Sequence, residues 1–220
     1  MTIRTLAAAI AALALSACTE DPQPLAPRAE TPQEAFWSAL SSHCGKAYEG
    51  GIASEDERDA DWMGKRMIAH WAECEDERIA IAFHVENPEE EGGWDRSRTW
   101  ILTRDIYEDG NGPITLKHDH RHSDGEVDAV TFYGGTTAPG DTGSAGGQDF
   151  PVDEESIALF TREGLDASLT NVWRVEVDAA GTPDAGFVYQ LTRKNDPTRL
   201  FRVEMDATAP VAAPPPAWGW

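Results

Sequence analysis

Short segments in which apolar and other residues alternate run through most of this chain, and they constrain its fold more than any other feature. In residues 77–86, the apolar side chains Ile79, Ile81, Phe83 and Val85 occupy every second position. A period of two places such residues on one face of a β-strand. Similar alternation occurs in residues 67–73, 98–105, 114–122, 127–133, 171–177, 187–192 and 200–205.

Turn-forming residues separate many of these segments. Asp109-Gly110, residues 123–125 (SDG) and residues 194–197 (KNDP) are examples. Short turns of this kind join neighbouring antiparallel strands. We therefore predict an all-β fold, with about eight to nine antiparallel strands forming a barrel or a strongly curled sheet.

Two short helices are expected in addition to the strands. Thr31, Pro32 and Glu34 have the spacing of a helix start with a capping box. The apolar face of this helix would consist of Phe36, Trp37 and Leu40. Residues 134–147 (GGTTAPGDTGSAGG) predict a mobile loop at the barrel rim, and residues 153–163 predict a second helix with Ile157 and Phe160 on one face.

The N-terminus has the organisation of an export signal. Arg4 precedes an apolar run over residues 6–15, which small residues follow, and the run is too short to cross a bilayer. Residues 15–18 (LSAC) resemble the lipobox of bacterial lipoproteins. This resemblance implies cleavage before Cys18 and attachment of lipid to its sulfur, and hence an exported, membrane-anchored protein of the cell envelope.

These features divide the chain into four segments. Residues 1–17 would be the signal peptide, and residues 18–30, rich in proline and charge, a flexible spacer. Residues 31–206 would form a single barrel-like domain. The tail, residues 207–220, is rich in proline, so its two tryptophans are expected to be disordered or lightly docked.

The charge of the chain limits its partners. It has 39 acidic residues against 18 Lys and Arg, for a formal net charge of −21. Nucleic acids and anionic lipid headgroups would repel such a surface. We therefore expect no nucleic-acid partner, and membrane attachment only through the lipid on Cys18.

Lipidation of Cys18 would leave Cys44 and Cys74 as a pair in an oxidising compartment. A disulfide between them is the default expectation. A catalytic thiol is the alternative, but His43, the neighbour of Cys44, would point to the opposite face of an extended segment.

Residues 117–122 (KHDHRH) contain half of the six histidines. On a strand, His118, His120 and His122 would share one face, and two of them could bind a metal ion with a third ligand from another strand. The candidates for that third ligand are His43, His70 and His84. The structural alternative, which we favour, ends the strand in a tight turn at 123–125, with His118 partly buried and hydrogen-bonded and the other two progressively more exposed.

The eight tryptophans raise the question of a ligand cavity. Trp71, Trp100 and Trp173 fall inside predicted strands and are expected in the core or the barrel lining. Arg98 and Arg104 share the Trp100 face, so a cavity there would be apolar with cationic ends. It would suit an amphipathic carboxylate or a haem-like ligand. The structural alternative, which we favour, is that these arginines pair with acids on adjacent strands.

Two resemblances bear on function. The order of an N-terminal helix, antiparallel strands, the KHDHRHSDG hairpin, the NVWRVEV strand and a last strand ending FRVEMD is similar to uncharacterised bacterial lipoproteins. The architecture resembles the calycin group of small barrels, which implies binding of a small hydrophobic ligand.

We therefore expect a non-enzymatic envelope lipoprotein that binds a small amphipathic molecule or a partner protein. The alternatives are a histidine-metal protein that uses residues 117–122 and a purely structural envelope protein. No catalytic residue is assigned and no cofactor is expected, because no GxSxG motif, P-loop or calcium loop occurs in the sequence.

Overall fold

The computed structural model describes residues 28–220, so the predicted signal peptide, Cys18 and the spacer up to residue 27 lie outside the described residues. Ten strands and two α-helices form the described part. The strands are β1 (Ala47–Ile52), β2 (Met67–Cys74), β3 (Arg78–Glu86), β4 (Trp94–Arg104), β5 (Ile114–His120), β6 (Tyr133–Thr136), β7 (Gly147–Pro151), β8 (Asn171–Val177), β9 (Gly186–Arg193) and β10 (Asp196–Asp206). The helices are α1 (Pro32–Ser41) and α2 (Glu154–Arg162), and 3₁₀ turns occur at Glu57–Trp62, Glu91–Gly93 and Asp166–Ser168.

All ten strands belong to one antiparallel sheet in the order β6-β5-β4-β3-β2-β1-β10-β9-β8-β7. The first and last strands pair at the middle of this order, with Gly50 opposite Met205. The two outer strands, β6 and β7, approach each other, and an isolated bridge joins Gly135 to Val152 beside them. The sheet is thus a nearly closed barrel, which confirms the predicted all-β class with ten strands instead of eight or nine.

Two glycines allow the backbones to approach closely where the barrel closes. A Cβ atom added to Gly50 would lie 1.9 Å from the carbonyl oxygen of Glu204, and one added to Gly135 would lie 2.2 Å from that of Pro151. Any other residue at these positions would force the paired segments apart.

The prediction of a strand over residues 127–133 is wrong. Asp128 and Phe132 donate backbone hydrogen bonds to His120 and His118, but Asp128 also accepts from the amide of Val130 in a local turn, and Phe132 has a φ of +53°. These local bonds break the extended conformation despite the alternating residues. The expectation that residues 134–147 form only a mobile loop is also wrong, because β6 and the start of β7 lie within them.

The barrel interior is filled by the alternating side chains that identified the strands. Inward-facing residues are almost fully excluded from solvent, and many are aromatic. The largest of the fully buried side chains are Trp71, Trp173, Tyr48, Phe36, Phe150 and Phe187. Burial of these rings, together with the aliphatic side chains around them, stabilises the fold.

Helix α1 begins as the sequence predicted. The hydroxyl of Thr31 accepts a hydrogen bond from the amide of Glu34, and the carboxylate of Glu34 accepts from the amide of Thr31. Its buried residues Phe36, Trp37 and Leu40 join the core. Helix α2 buries Phe160, whereas Ile157 remains 37% exposed.

A disulfide joins Cys44, just after α1, to Cys74 at the end of β2, with a Cα–Cα distance of 6.0 Å. This confirms the predicted pairing. The bond connects the segment that follows the helix to the barrel wall.

The tail, residues 207–220, is docked on the barrel by a few hydrogen bonds, which is the light docking, rather than the disorder, that the sequence left open. Backbone hydrogen bonds run from Val211 to Ala47 and from Trp218 to Arg96, and the indole of Trp220 donates to Asp119. The prolines do prevent regular structure, but they leave enough amides and side chains to bond the outer wall of the barrel.

In residues 28–220, no helix has the length and apolar character needed to cross a bilayer.

We expect the Cys44→Ser/Cys74→Ser variant to lose about 3 to 4 kcal/mol of the free energy of unfolding, because the bridge closes a loop of 30 residues. Urea unfolding under oxidising conditions measures this difference. Reduced wild-type protein should match the double variant, and a loss below about 1 kcal/mol would contradict a stabilising role.

Candidate functional site

Trp100 lies inside the barrel between two other aromatic rings. Its ring stacks on Phe83 at a centroid distance of 4.5 Å and on Tyr189 at 4.3 Å, and only 3% of the residue is exposed. Both faces of the indole are therefore occupied by the protein itself.

Arg98 and Arg104 lie towards opposite ends of the barrel, as their positions on β4 require. Six residues of extended strand separate them by roughly 20 Å. Arg98 pairs with Asp95 at 2.8 Å and lies over the ring of Trp62, and Arg104 lies over Trp37 at 4.8 Å. The space between these two cations is occupied by Trp100 and the rings stacked on it.

His118 is bonded within the barrel wall and core. Its Nδ1 donates to the carbonyl oxygen of Tyr133 at 3.0 Å, so its Nε2 accepts from the hydroxyl of Tyr189 at 2.7 Å. Burial lowers the pKa of His118 to about 4, against a smaller opposite effect of the bond to Tyr133. The imidazole is therefore neutral at physiological pH.

The other two histidines of residues 117–122 become progressively more exposed, which confirms the expected gradient. His120 is partly buried, and its pKa is lowered by burial first and then by Arg98. His122 is exposed, with Nε2 3.4 Å from Asp128. The strand ends at His120, and Gly125 closes the predicted turn by donating to the carbonyl oxygen of His122.

The hydrogen bonds of His118 compete with metal binding at residues 117–122. Both ring nitrogens of His118 are engaged by tyrosines, and within residues 28–220 no three His, Cys, Asp or Glu side chains are grouped as ligands would be. Binding of a metal through His118 and His120 would require the first of them to give up its bond to Tyr133 or Tyr189.

A groove that the sequence did not predict lies beside the gap between β6 and β7. It encloses about 990 Å³ between the loop after β4, the segment after β6 and the start of α2. Tyr107, Val152 and Ile157 supply apolar surface, and Tyr107 is 52% exposed. The remaining wall is formed by the loop that runs through Pro139 and Gly140.

The charged residues that line the groove are all acidic. They are Asp109, Asp141, Asp153 and Glu154. Burial by itself would raise the pKa of Asp153, but its bonds from Lys117 and Ser156 keep that pKa below the ordinary value. Lys117 lies 2.9 Å from Asp153 but does not line the groove.

A second open cavity of about 910 Å³ lies beside α1 and the disulfide. Arg104 and Trp37 contribute to its wall, together with Arg28, which is paired with Glu34. Of the residues predicted to contact a ligand, Arg104 therefore reaches this open cavity, at the opposite end of β4 from Arg98.

The comparisons with known proteins add no assignment to this geometry. Protein-family models, curated protein sequences and solved structures give no match to the chain. The class of the protein is therefore defined by its nearly closed, ten-stranded antiparallel barrel.

We expect Tyr189→Phe to cost about 1 to 3 kcal/mol of the free energy of unfolding, because it leaves the buried Nε2 of His118 without a donor. Tyr107→Phe removes the same atom from a half-exposed ring and serves as the matched control. Urea denaturation compares the two. Equal stability of both variants would show that the bond to His118 contributes nothing.

Proposed function

We propose that this chain is a lipid-anchored, non-enzymatic envelope protein that binds a small amphipathic molecule in the groove beside β6 and β7. The observation that carries the proposal is the groove itself, which combines open volume, an apolar wall and charge of one sign. The proposed ligand is of the class that the sequence predicted. Its binding site, however, lies at the gap in the barrel wall and not in the barrel interior, where aromatic rings occupy the space.

The size of the groove suits such a ligand. A volume of about 990 Å³ is at the upper end of what small-molecule sites enclose. Tyr107 and Ile157 would cover an apolar chain, and each is partly exposed in the free protein. Transfer of their exposed apolar surface from water to a ligand provides the driving force for binding.

The charge of the groove favours a cationic headgroup. Four carboxylates line it and no Lys or Arg does. Lys117 offsets the charge of Asp153, and the other three would attract an ammonium or guanidinium group and repel a carboxylate. This reverses the charge of the ligand expected from Arg98 and Arg104, both of which are engaged by residues of the protein.

The anchoring part of the proposal rests on the N-terminal sequence. Residues 15–18 (LSAC) lie at the end of an apolar run, as in lipoprotein signals. Because the chain carries a net charge of −21, a lipid on Cys18 would supply membrane attachment that the protein surface does not.

We expect decyltrimethylammonium, used below its micellar concentration, to bind the protein with an affinity at least about tenfold higher than decyl sulfate, since the two share an apolar chain and differ in the sign of the head. Isothermal titration calorimetry measures both. Equal affinity for the two compounds would contradict the proposed preference for a cationic headgroup.

Two pairs of variants locate that binding. Ile157→Ser should weaken binding of decyltrimethylammonium by about 1 kcal/mol through lost apolar contact, whereas Leu200→Ser, at a residue of nearly equal exposure on β10, should not.

Asp109→Asn/Asp141→Asn should weaken the same binding about two- to tenfold through lost negative charge. Asp124→Asn/Asp206→Asn, with the same change of charge away from the groove, should have little effect. If the groove variants and their controls behave alike, the ligand binds elsewhere.

Native mass spectrometry of the protein purified from its own envelope tests for a natural ligand. A retained cationic molecule that is absent from the Ile157→Ser variant would support the proposed site. A retained anionic ligand would contradict the proposed charge preference.

For the anchor, we expect Cys18→Ser to move the protein from the membrane fraction to the soluble fraction, because the hydroxyl cannot receive the thioether-linked lipid. Detergent partitioning and the intact mass of the mature chain check this. Unchanged membrane association of the variant would refute anchoring through Cys18.

A further inference from the structure

The outer face of β2 and β3 is buried although it points away from the core. Ile79, Ile81 and Phe83 face inward, so the residues between and after them on β3 face outward. We call the outward-facing residues Ile68, His70, Ala80, Ala82 and His84 the outer strip. Four of the five are at most 3% exposed, and His70 is partly buried. Another part of the chain must therefore cover the strip.

The tail provides that cover. Its path is defined by four hydrogen bonds: Val211 N to Ala47 O on β1 at 2.8 Å, Arg96 Nη1 on β4 to Pro216 O at 2.8 Å, Trp218 N to Arg96 O at 3.0 Å, and Trp220 Nε1 to Asp119 Oδ2 on β5 at 2.9 Å. In the sheet, β2 and β3 lie between β1 and β4. Residues 212–217 thus cross the outer strip.

His84 lies in this strip without any hydrogen bond. Neither of its ring nitrogens has a partner, and Nδ1 of His70 and Nε of Arg96 are also buried without one. Such groups are rare in folded proteins and destabilise the state that buries them. The tail offers His84 no compensating charge, since residues 207–220 contain no ionisable side chain.

We propose that the tail is an acid-released strap, held over the outer strip while His84 is neutral and displaced when His84 takes up a proton. The structure supplies both elements of such a device, namely a segment attached by few bonds and a buried imidazole that only solvent can stabilise once it is charged. Release would uncover an apolar surface on β2 and β3.

The direction of the pH effect follows from the surroundings of His84. Burial, then His70 on β2 and Arg96 on β4, lowers the pKa of His84 to about 4, and only Asp95 opposes them. With the tail displaced, the ring would titrate near its ordinary value of about 6.5. The docked state is therefore fully favoured above about pH 6.5 and loses its advantage as the pH falls towards about 4. His70, whose pKa is also lowered by burial, would act in the same direction.

Hydrogen exchange at the tail tests this proposal on the full-length chain. After correction for intrinsic rates, protection of the Val211 and Trp218 amides should fall by up to about two orders of magnitude between about pH 7 and pH 4.5. Protection of amides in β8 and β9, on the far side of the barrel, should stay above that of the tail at every pH, because protonation of His118, whose pKa is also about 4, requires opening of the core whereas release of the tail is local. His84→Leu should remove most of the fall at the tail, and His122→Leu, at an exposed histidine, should leave it as in the wild type.

Several outcomes would overturn the proposal. A tail that stays protected at low pH would do so, as would an undiminished pH effect in His84→Leu. Tail amides that are never less protected than those of β8 and β9 would show that the tail is released only when the whole barrel unfolds. A stoichiometric metal ion held by His84 in the isolated protein would assign the unpartnered nitrogens to a ligand instead.

Discussion

The pairing of β1 with β10 is the constraint on which the rest of the structure depends. These strands come from opposite ends of the folded domain, and every other pair in the sheet joins strands that follow each other in the chain. Without the β1–β10 pair, the hairpins would form two separate sheets, one of six strands and one of four, with exposed edges and half-covered apolar faces. Pairing the two ends joins them into one wall and creates the interior in which the aromatic rings pack.

Several features follow from that closure. It places the residues after β10 next to β1, so that the tail continues around the outer wall instead of leaving the barrel. It also leaves the only break between neighbouring strands of the described sheet at β6 and β7, where the groove lies. The groove and the tail are therefore two consequences of one topology. They lie on different parts of the wall, so binding in the groove and displacement of the tail can be measured separately.

Charge and polarity differ between the surface, the interior and the strip beneath the tail. The acidic residues that give the chain its negative charge lie largely on the surface, where they repel anions. In the interior, His118 is neutral and satisfied by Tyr133 and Tyr189. Of the seven buried side-chain atoms without a partner in the described residues, four lie under or beside the tail: Nδ1 of His70, both ring nitrogens of His84 and Nε of Arg96. A structural role explains His118, whereas His84 calls for the separate explanation that an acid-released tail provides.

The sequence by itself determined the elements whose signals are local. Alternation identified β3 and β8, the Thr31 to Glu34 capping box identified α1, and the even pair of cysteines predicted the Cys44–Cys74 bridge. Strand β1 escaped prediction because residues 47–52 (AYEGGI) contain two glycines and show no alternation. Its pairing depends on the close approach of Gly50 to β10, a contact between residues far apart in the chain.

Only the tertiary structure decided what occupies each face. Arg98, Trp100 and Arg104 share one face of β4, as alternation required, but whether a cavity or packed rings lie between the arginines depended on Phe83 and Tyr189 from other strands. The tail likewise lacks any periodic signal, and its docking depends on backbone groups and on Asp119 of distant strands. The periodicity of the sequence predicts on which face of a strand a side chain lies, because that depends only on the neighbouring residues. What that face meets is set by the closure of the barrel, which brings together segments more than one hundred residues apart.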